Sequence, residues 1–170
     1  MKRGVMSDLL ELETDPAIEG LWIAIETARA QSYPLTGVAF RMLRPPRDTN
    51  EALDAAARAL DFQPLGPHWI EVPRRIASKI LTHIIAHDLA YPDEIVPVAQ
   101  AKELAERVLA LVGPQARYFT NGAISGDFAI YDVRGQEVVG WRSLSDAPFD
   151  HGLFALNERR VVVLWAEDAP

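Results

Sequence analysis

His83 and His87 stand four residues apart in "HIIAHD", with Asp88 directly after them. Four residues advance an α-helix by about 400°, so two imidazoles at that spacing share one side and can hold a metal between them. The metalloprotease pattern also needs a glutamate next to the first histidine to activate water, and Ile84 occupies that position. A third ligand would have to come through the fold, from His68 or His151. On a helical wheel His87 falls between Ile76 and Ile80, within the apolar stripe. That placement favours a hydrogen-bonded histidine at the core boundary over a ligand. The expectation is no metal, no cofactor and no catalytic residue.

The second constellation is "SDAPFDHG", residues 145–152. Two carboxylates beside a histidine can do general acid–base work once burial moves their pKa values apart. The same residue types also make a connector, since "SDAP" is a turn signal in which Asp146 can accept from its own backbone. On that reading Phe149 points inward, Asp150 stays ionised at the surface, and Gly152 admits close packing where a strand begins. The connector accounts for more of the residues. Elsewhere the glycines of "NGAISGDF" match no phosphate loop, and Ser125 and Ser145 lack the context of a nucleophile elbow. Trp22, Trp69, Trp141 and Trp165 read as core anchors.

The elements that must position these residues change character near residue 114. Asp15-Pro16 supplies an N-cap and a first-turn proline, and Ile18, Leu21, Trp22, Ile25 and Ala28 follow with helical spacing. That helix is expected to end near Gln31. "LTGVAFRML" is ambiguous between a strand and a helical turn. Asn50 is placed as the cap of an alanine-rich helix through Leu60, Pro73 opens a central helix to about Ala90, and Pro97 opens another to Val112, stopped by Gly113-Pro114. Beyond that, "ARYFT", "DFAIYDV", "EVVGWRSL", "HGLFALN" and "RVVVLWAE" are short strand-like runs with turns at Asn121-Gly122, Arg134-Gly135 and Asn157-Glu158. The fold class read from this is α+β: N-terminal helices, about 1–113, packed on one face of a C-terminal antiparallel meander of four to five strands, about 114–168. One domain, 1–170, is expected.

Composition narrows the function. The net charge is −7, with acidic residues in excess in both halves, which argues against a nucleic-acid partner and for a basic protein partner. Cysteine is absent, which removes disulfides, thiolate metal sites and a cysteine nucleophile. No stretch approaches the ~18 apolar residues of a membrane span, and acidic residues interrupt any signal-peptide core. A cytoplasmic protein is expected.

Trp141, then "SLSDAPFDHG", then an apolar strand, a polar turn and "VVVLWAED" together resemble the tail of small bacterial immunity proteins. The most specific part is Ser145–Gly152 with Trp165–Asp168. The resemblance implies a stoichiometric inhibitor of a toxin encoded beside it, working by binding and without chemistry. Its contacts would be the acidic side chains Asp127, Asp132, Asp146, Asp150 and Glu158, with Tyr131 or Phe149 as aromatic anchor. The competing readings are a small hydrolase or metal-dependent enzyme using His83 and His87, and an adaptor subunit that associates through its helices.

Overall fold

The computed structural model describes residues 7–30, 32–91, 93–124 and 128–169. Its elements run β1 (Leu10–Glu13), α1 (Pro16–Ala28), β2 (Leu35–Met42), α2 (Thr49–Ala59), a 3-10 turn (Gly66–His68), β3 (Ile70–Val72), α3 (Arg74–Ala86), α4 (Val98–Val112), β4 (Arg117–Thr120), β5 (Phe149–Leu156) and β6 (Arg160–Asp168). All six strands form one antiparallel sheet in the order β1-β2-β6-β5-β4-β3.

Helix starts follow local chemistry. The Asp15 carboxylate accepts from the Ala17 and Ile18 N–H groups at 2.9 and 3.0 Å, satisfying donors that α1 leaves open. Asp48, not Asn50, caps α2 by accepting from the Glu51 N–H. Two helices end earlier than expected. α1 stops at Ala28, where the Arg29 N–H closes back onto Ile25 and Glu26. α3 stops at Ala86, whose carbonyl is taken by the Ile95 and Val96 N–H groups of the returning chain. α4 ends at Gly113, which turns the chain at a φ of +86° that other residues adopt only under strain.

The sheet corrects the expected architecture in three ways. It has six strands, and three of them precede residue 114, so the helices alternate with strands instead of forming an N-terminal layer. It is no meander, because β1 and β2 add beside β6 while β3 adds beside β4. Helices also cover both faces. α1, α3 and α4 pack on Leu35, Ala39, Leu153, Ala155, Val162 and Leu164, whereas α2 packs on Val38, Phe40, Phe154, Val161, Val163 and Trp165. Burial on both sides explains why β5 and β6 read as unbroken apolar runs. "DFAIYDV" and "EVVGWRSL" contribute isolated bridges, Tyr131 to Glu137 and Gly122 to Trp141. Among the described residues no helix is long and apolar enough to cross a membrane.

Two glycines mark where backbone and aromatic rings meet most closely. A Cβ on Gly152 would lie 2.3 Å from the Leu164 carbonyl oxygen and 2.7 Å from the Trp165 ring. A Cβ on Gly37 would stand 2.5 Å from the Trp22 ring. Gly152 therefore lets the central pair β5–β6 close on Trp165, and Gly37 lets α1 settle on β2.

Candidate functional site

Strand β5 sends successive side chains to opposite faces, so Asp150 and His151 part company at once. Both are 0% exposed. Asn121, just past the end of β4, ties the two together. Its Nδ2 donates to the Asp150 carboxylate at 3.1 Å and to the Asp150 carbonyl at 2.9 Å, while its Oδ1 lies 3.0 Å from His151 Nδ1. Because the Asn121 amide donates toward Asp150, its oxygen faces the ring and Nδ1 carries the imidazole proton. The other Asp150 oxygen accepts from the Leu144 N–H, the Ser145 N–H and the Ser145 hydroxyl at 2.8, 2.6 and 2.8 Å. A buried carboxylate thus clamps the loop that leads into β5.

This corrects the surface role expected for Asp150. The residue faces the interior because the backbone donors of residues 144 and 145 converge on it, and Phe149 takes the half-buried position instead. The turn is held by Ser145, whose hydroxyl accepts from the Ala147 N–H, whereas Asp146 is exposed. Of the other acidic candidates, Asp132 accepts from the Arg134 and Gln136 N–H groups and shapes a hairpin whose exposed residues include Tyr131. Glu158 is exposed in the β5–β6 turn, at the far end of β5 from Asp146 and roughly 20 Å or more away at the usual strand rise. Asp127 lies outside the described residues. The structure therefore separates these candidates between two ends of the sheet.

One acidic residue was missed. Glu167 sits directly opposite Asp150 on β6. Burial pushes both carboxyls above their ordinary range. The negative charges of Asp150 and Asp146 add to the push on Glu167, and hydrogen bonds from Ser145 and Leu144 oppose it at Asp150. Among the described residues none of these three carboxylates belongs to an ion pair. Its signal in the sequence was register: a β5–β6 hairpin turning at Asn157 sets Glu167 across from Asp150.

The histidines form a second constellation on the opposite face. His83 projects from α3 and stacks on Phe128, with ring centroids 4.3 Å apart. His87 is not on the helix as expected; it is the extended residue that ends α3, and its ring lies 5.0 Å from that of His83. His151 approaches the edge of Phe128 at 6.5 Å. Burial holds His83 down at about 4, helped by the charges of His87 and Lys79, and burial holds His151 at about 3, helped by His83. Both rings are neutral at pH 7. Among the described residues, His87 Nδ1 and His151 Nε2 are buried without a hydrogen-bond partner.

A cleft of about 330 Å³ opens beside these rings, lined by Arg75, Ser78, Lys79, Thr82, His83, Ala86, His87, Val98, Lys102 and Phe128. Arg75, Lys79 and His83 recur at every fourth residue of α3, a spacing that by itself puts the three on one face of a helix. Among the described residues no group of three or more His, Asp or Glu side chains is disposed to hold a metal ion. Untagged protein is accordingly expected to take up no stoichiometric zinc. Metal analysis of wild type against a His83→Ala, His87→Ala double variant checks this, and zinc lost only in the variant would revive a metal-dependent reading. The chain matches no protein-family model, no curated protein and no solved structure.

Proposed function

We propose that this chain is a binding protein of the immunity kind, which neutralises a toxin domain with a basic surface by stoichiometric association. The observation that supports this best is the group of carboxylates at the start of β5, which has no ion-pair partner among the described residues. Asp150 and Glu167 face each other across the sheet with Asp146 exposed beside them, an arrangement that costs the fold repulsion. A lysine or arginine brought by a partner removes that repulsion, so the lost cost appears as affinity. Tight electrostatic complementarity also speeds encounter, which suits an inhibitor that must capture its target quickly.

A hairpin in the connection from Asn121 to Phe149 carries exposed apolar residues of its own, and its tip at Val133 lies beside Pro114 and Gln115. Val139 is 91% exposed and Val133 53% exposed on the same hairpin as Tyr131. Exposed apolar residues grouped on one projecting element mark contact surfaces more often than scattered ones do. On this proposal Asp146 and Glu167 contact the partner, Asp150 acts from beneath by holding the loop in shape, and Tyr131 on its separate hairpin would be a second contact.

Titration calorimetry with the toxin domain encoded beside this chain tests the reading. A 1:1 complex is expected, whose affinity falls as salt is raised. Asp146→Lys is expected to weaken it about ten-fold at low salt while leaving the thermal midpoint nearly unchanged. A complex that forms equally well with Asp146→Lys and Glu167→Gln would place the contact elsewhere. Absence of any complex would overturn the immunity reading itself.

A further inference from the structure

We propose that the cleft between α3, the start of α4 and Phe128 binds a small organic anion, a carboxylate or phosphate monoester with an apolar body. The chain carries a net charge of −7, yet this cleft is cationic. Arg75, Lys79 and Lys102 line it together with His83 and His87, and among the described residues no carboxylate does. Two acids stand close by and both are engaged: Glu106 accepts from Arg74 and from the Ser78 hydroxyl, each at 2.8 Å, and Glu94, bridged to His87, accepts from the Val98 N–H at 3.0 Å.

The cations are arranged to receive charge from outside the chain. Lys79 is fixed, its Nζ donating to the Ala129 carbonyl at 2.9 Å and lying 5.0 Å from the centre of the Phe128 ring. Arg75 and Lys102 make no hydrogen bond or ion pair among the described residues, so both heads can close on a ligand, although the Lys102 charge also reaches Glu106. His87 Nδ1 is a further polar atom of the lining, buried and without a partner among the described residues. Such an atom costs stability unless something completes its hydrogen bond.

Size and lining decide the class. About 330 Å³ lies at the small end of ligand pockets and is too little for a folded partner. Phe128, Val98 and Ala86 offer an apolar wall beside the charges, with Phe128 held in place by its stack on His83. A bare metal cation meets three positive side chains there and is repelled. An anion whose body is apolar satisfies both halves of the site.

The full chain is to be titrated with phenyl phosphate, benzoate and inorganic phosphate while amide shifts are followed by NMR. Saturable binding is expected, with shifts centred on residues 75–87 and 98–102. The aromatic probes should bind at least ten-fold tighter than inorganic phosphate. Which of phenyl phosphate and benzoate binds tighter assigns the ligand to phosphates or to carboxylates. Arg75 and Lys102 are exposed, so the double variant Arg75→Glu, Lys102→Glu should melt as wild type does and lose at least ten-fold in affinity. Phe128→Leu should abolish the advantage of the aromatic probes while keeping the weak binding of inorganic phosphate. Failure of every probe to saturate, or binding that survives both charge reversals, overturns the proposal.

Discussion

Asp150→Ala is expected to cost the fold about 3–5 kcal/mol, a large part of the ~5–15 kcal/mol by which domains are stable. The aspartate is fully buried and one oxygen gathers the Leu144 N–H, the Ser145 N–H and the Ser145 hydroxyl. Removing it leaves two backbone donors without an acceptor, and each such group costs about 1–3 kcal/mol. The serine hydroxyl can turn to water, and Asn121 keeps the carbonyls of Asp150 and Arg142 at 2.9 Å, so the loss stops short of four full bonds. Asp150→Asn keeps an acceptor for the loop but sets a second amide against Asn121, and about half the cost is expected. Urea unfolding of both variants measures the difference. Hydrogen exchange at Leu144 and Ser145 should accelerate well before the rest of the sheet opens. An alanine variant within about 1 kcal/mol of wild type would mean that the loop is held by packing and not by the carboxylate.

How legible this arrangement was depends on how far each residue's partners lie along the chain. Asp15-Pro16 and Gly113-Pro114 act on neighbours one to four residues away, and both helix ends could be placed from them. Strand β2 could not, because burial on both faces removes the alternation that marks a strand. "LTGVAFRML" then looks like any apolar run. β1 and β3 are four and three residues long, too short to declare a period. "DFAIYDV" misled in the other direction: its β-branched and aromatic residues serve an edge hairpin attached to β3 by the Val133 N–H to the Glu71 carbonyl. Asp150 read as a surface turn residue because its donors sit at residues 144 and 145 and its second partner is Asn121, 29 residues away. No local pattern reports that convergence. The cationic cleft was half legible, since the fourfold spacing of Arg75, Lys79 and His83 lies in the sequence while Phe128 and Lys102 arrive only through folding.

Acid should weaken this protein well above the range in which carboxylates protonate, and buried imidazole is the cause. His151 is neutral in the fold, held near 3 by burial and by the charge of His83, against an ordinary 6.5. As the pH falls through 6.5 the unfolded chain takes a proton at this ring and the folded chain does not. Stability is therefore full above about 6.5 and falls by about 1.4 kcal/mol per pH unit below it, until the folded ring itself protonates near 3. Between pH 6.5 and 5 that amounts to about 2 kcal/mol from His151 alone. His83, held near 4 by burial with help from His87 and Lys79, acts in the same direction but is partly solvated, so its share is smaller. Asp150 and Glu167 oppose the trend further down. Their raised carboxyls take up protons in the fold before they do in the unfolded chain, which returns some stability as the pH falls through that range. The stability curve should accordingly bend downward through pH 6.5, reach its full slope about a unit lower, and flatten where the raised carboxyls take up protons. Urea midpoints taken every half unit from pH 7.5 to 4.5 trace it. His83→Gln should make the fall shallower, while His151→Asn should remove most of it if that chain still folds. A midpoint that stays level from pH 6.5 to 5 would show that these rings are protonated in the native state, and the neutral Asn121–His151 pairing would have to be abandoned.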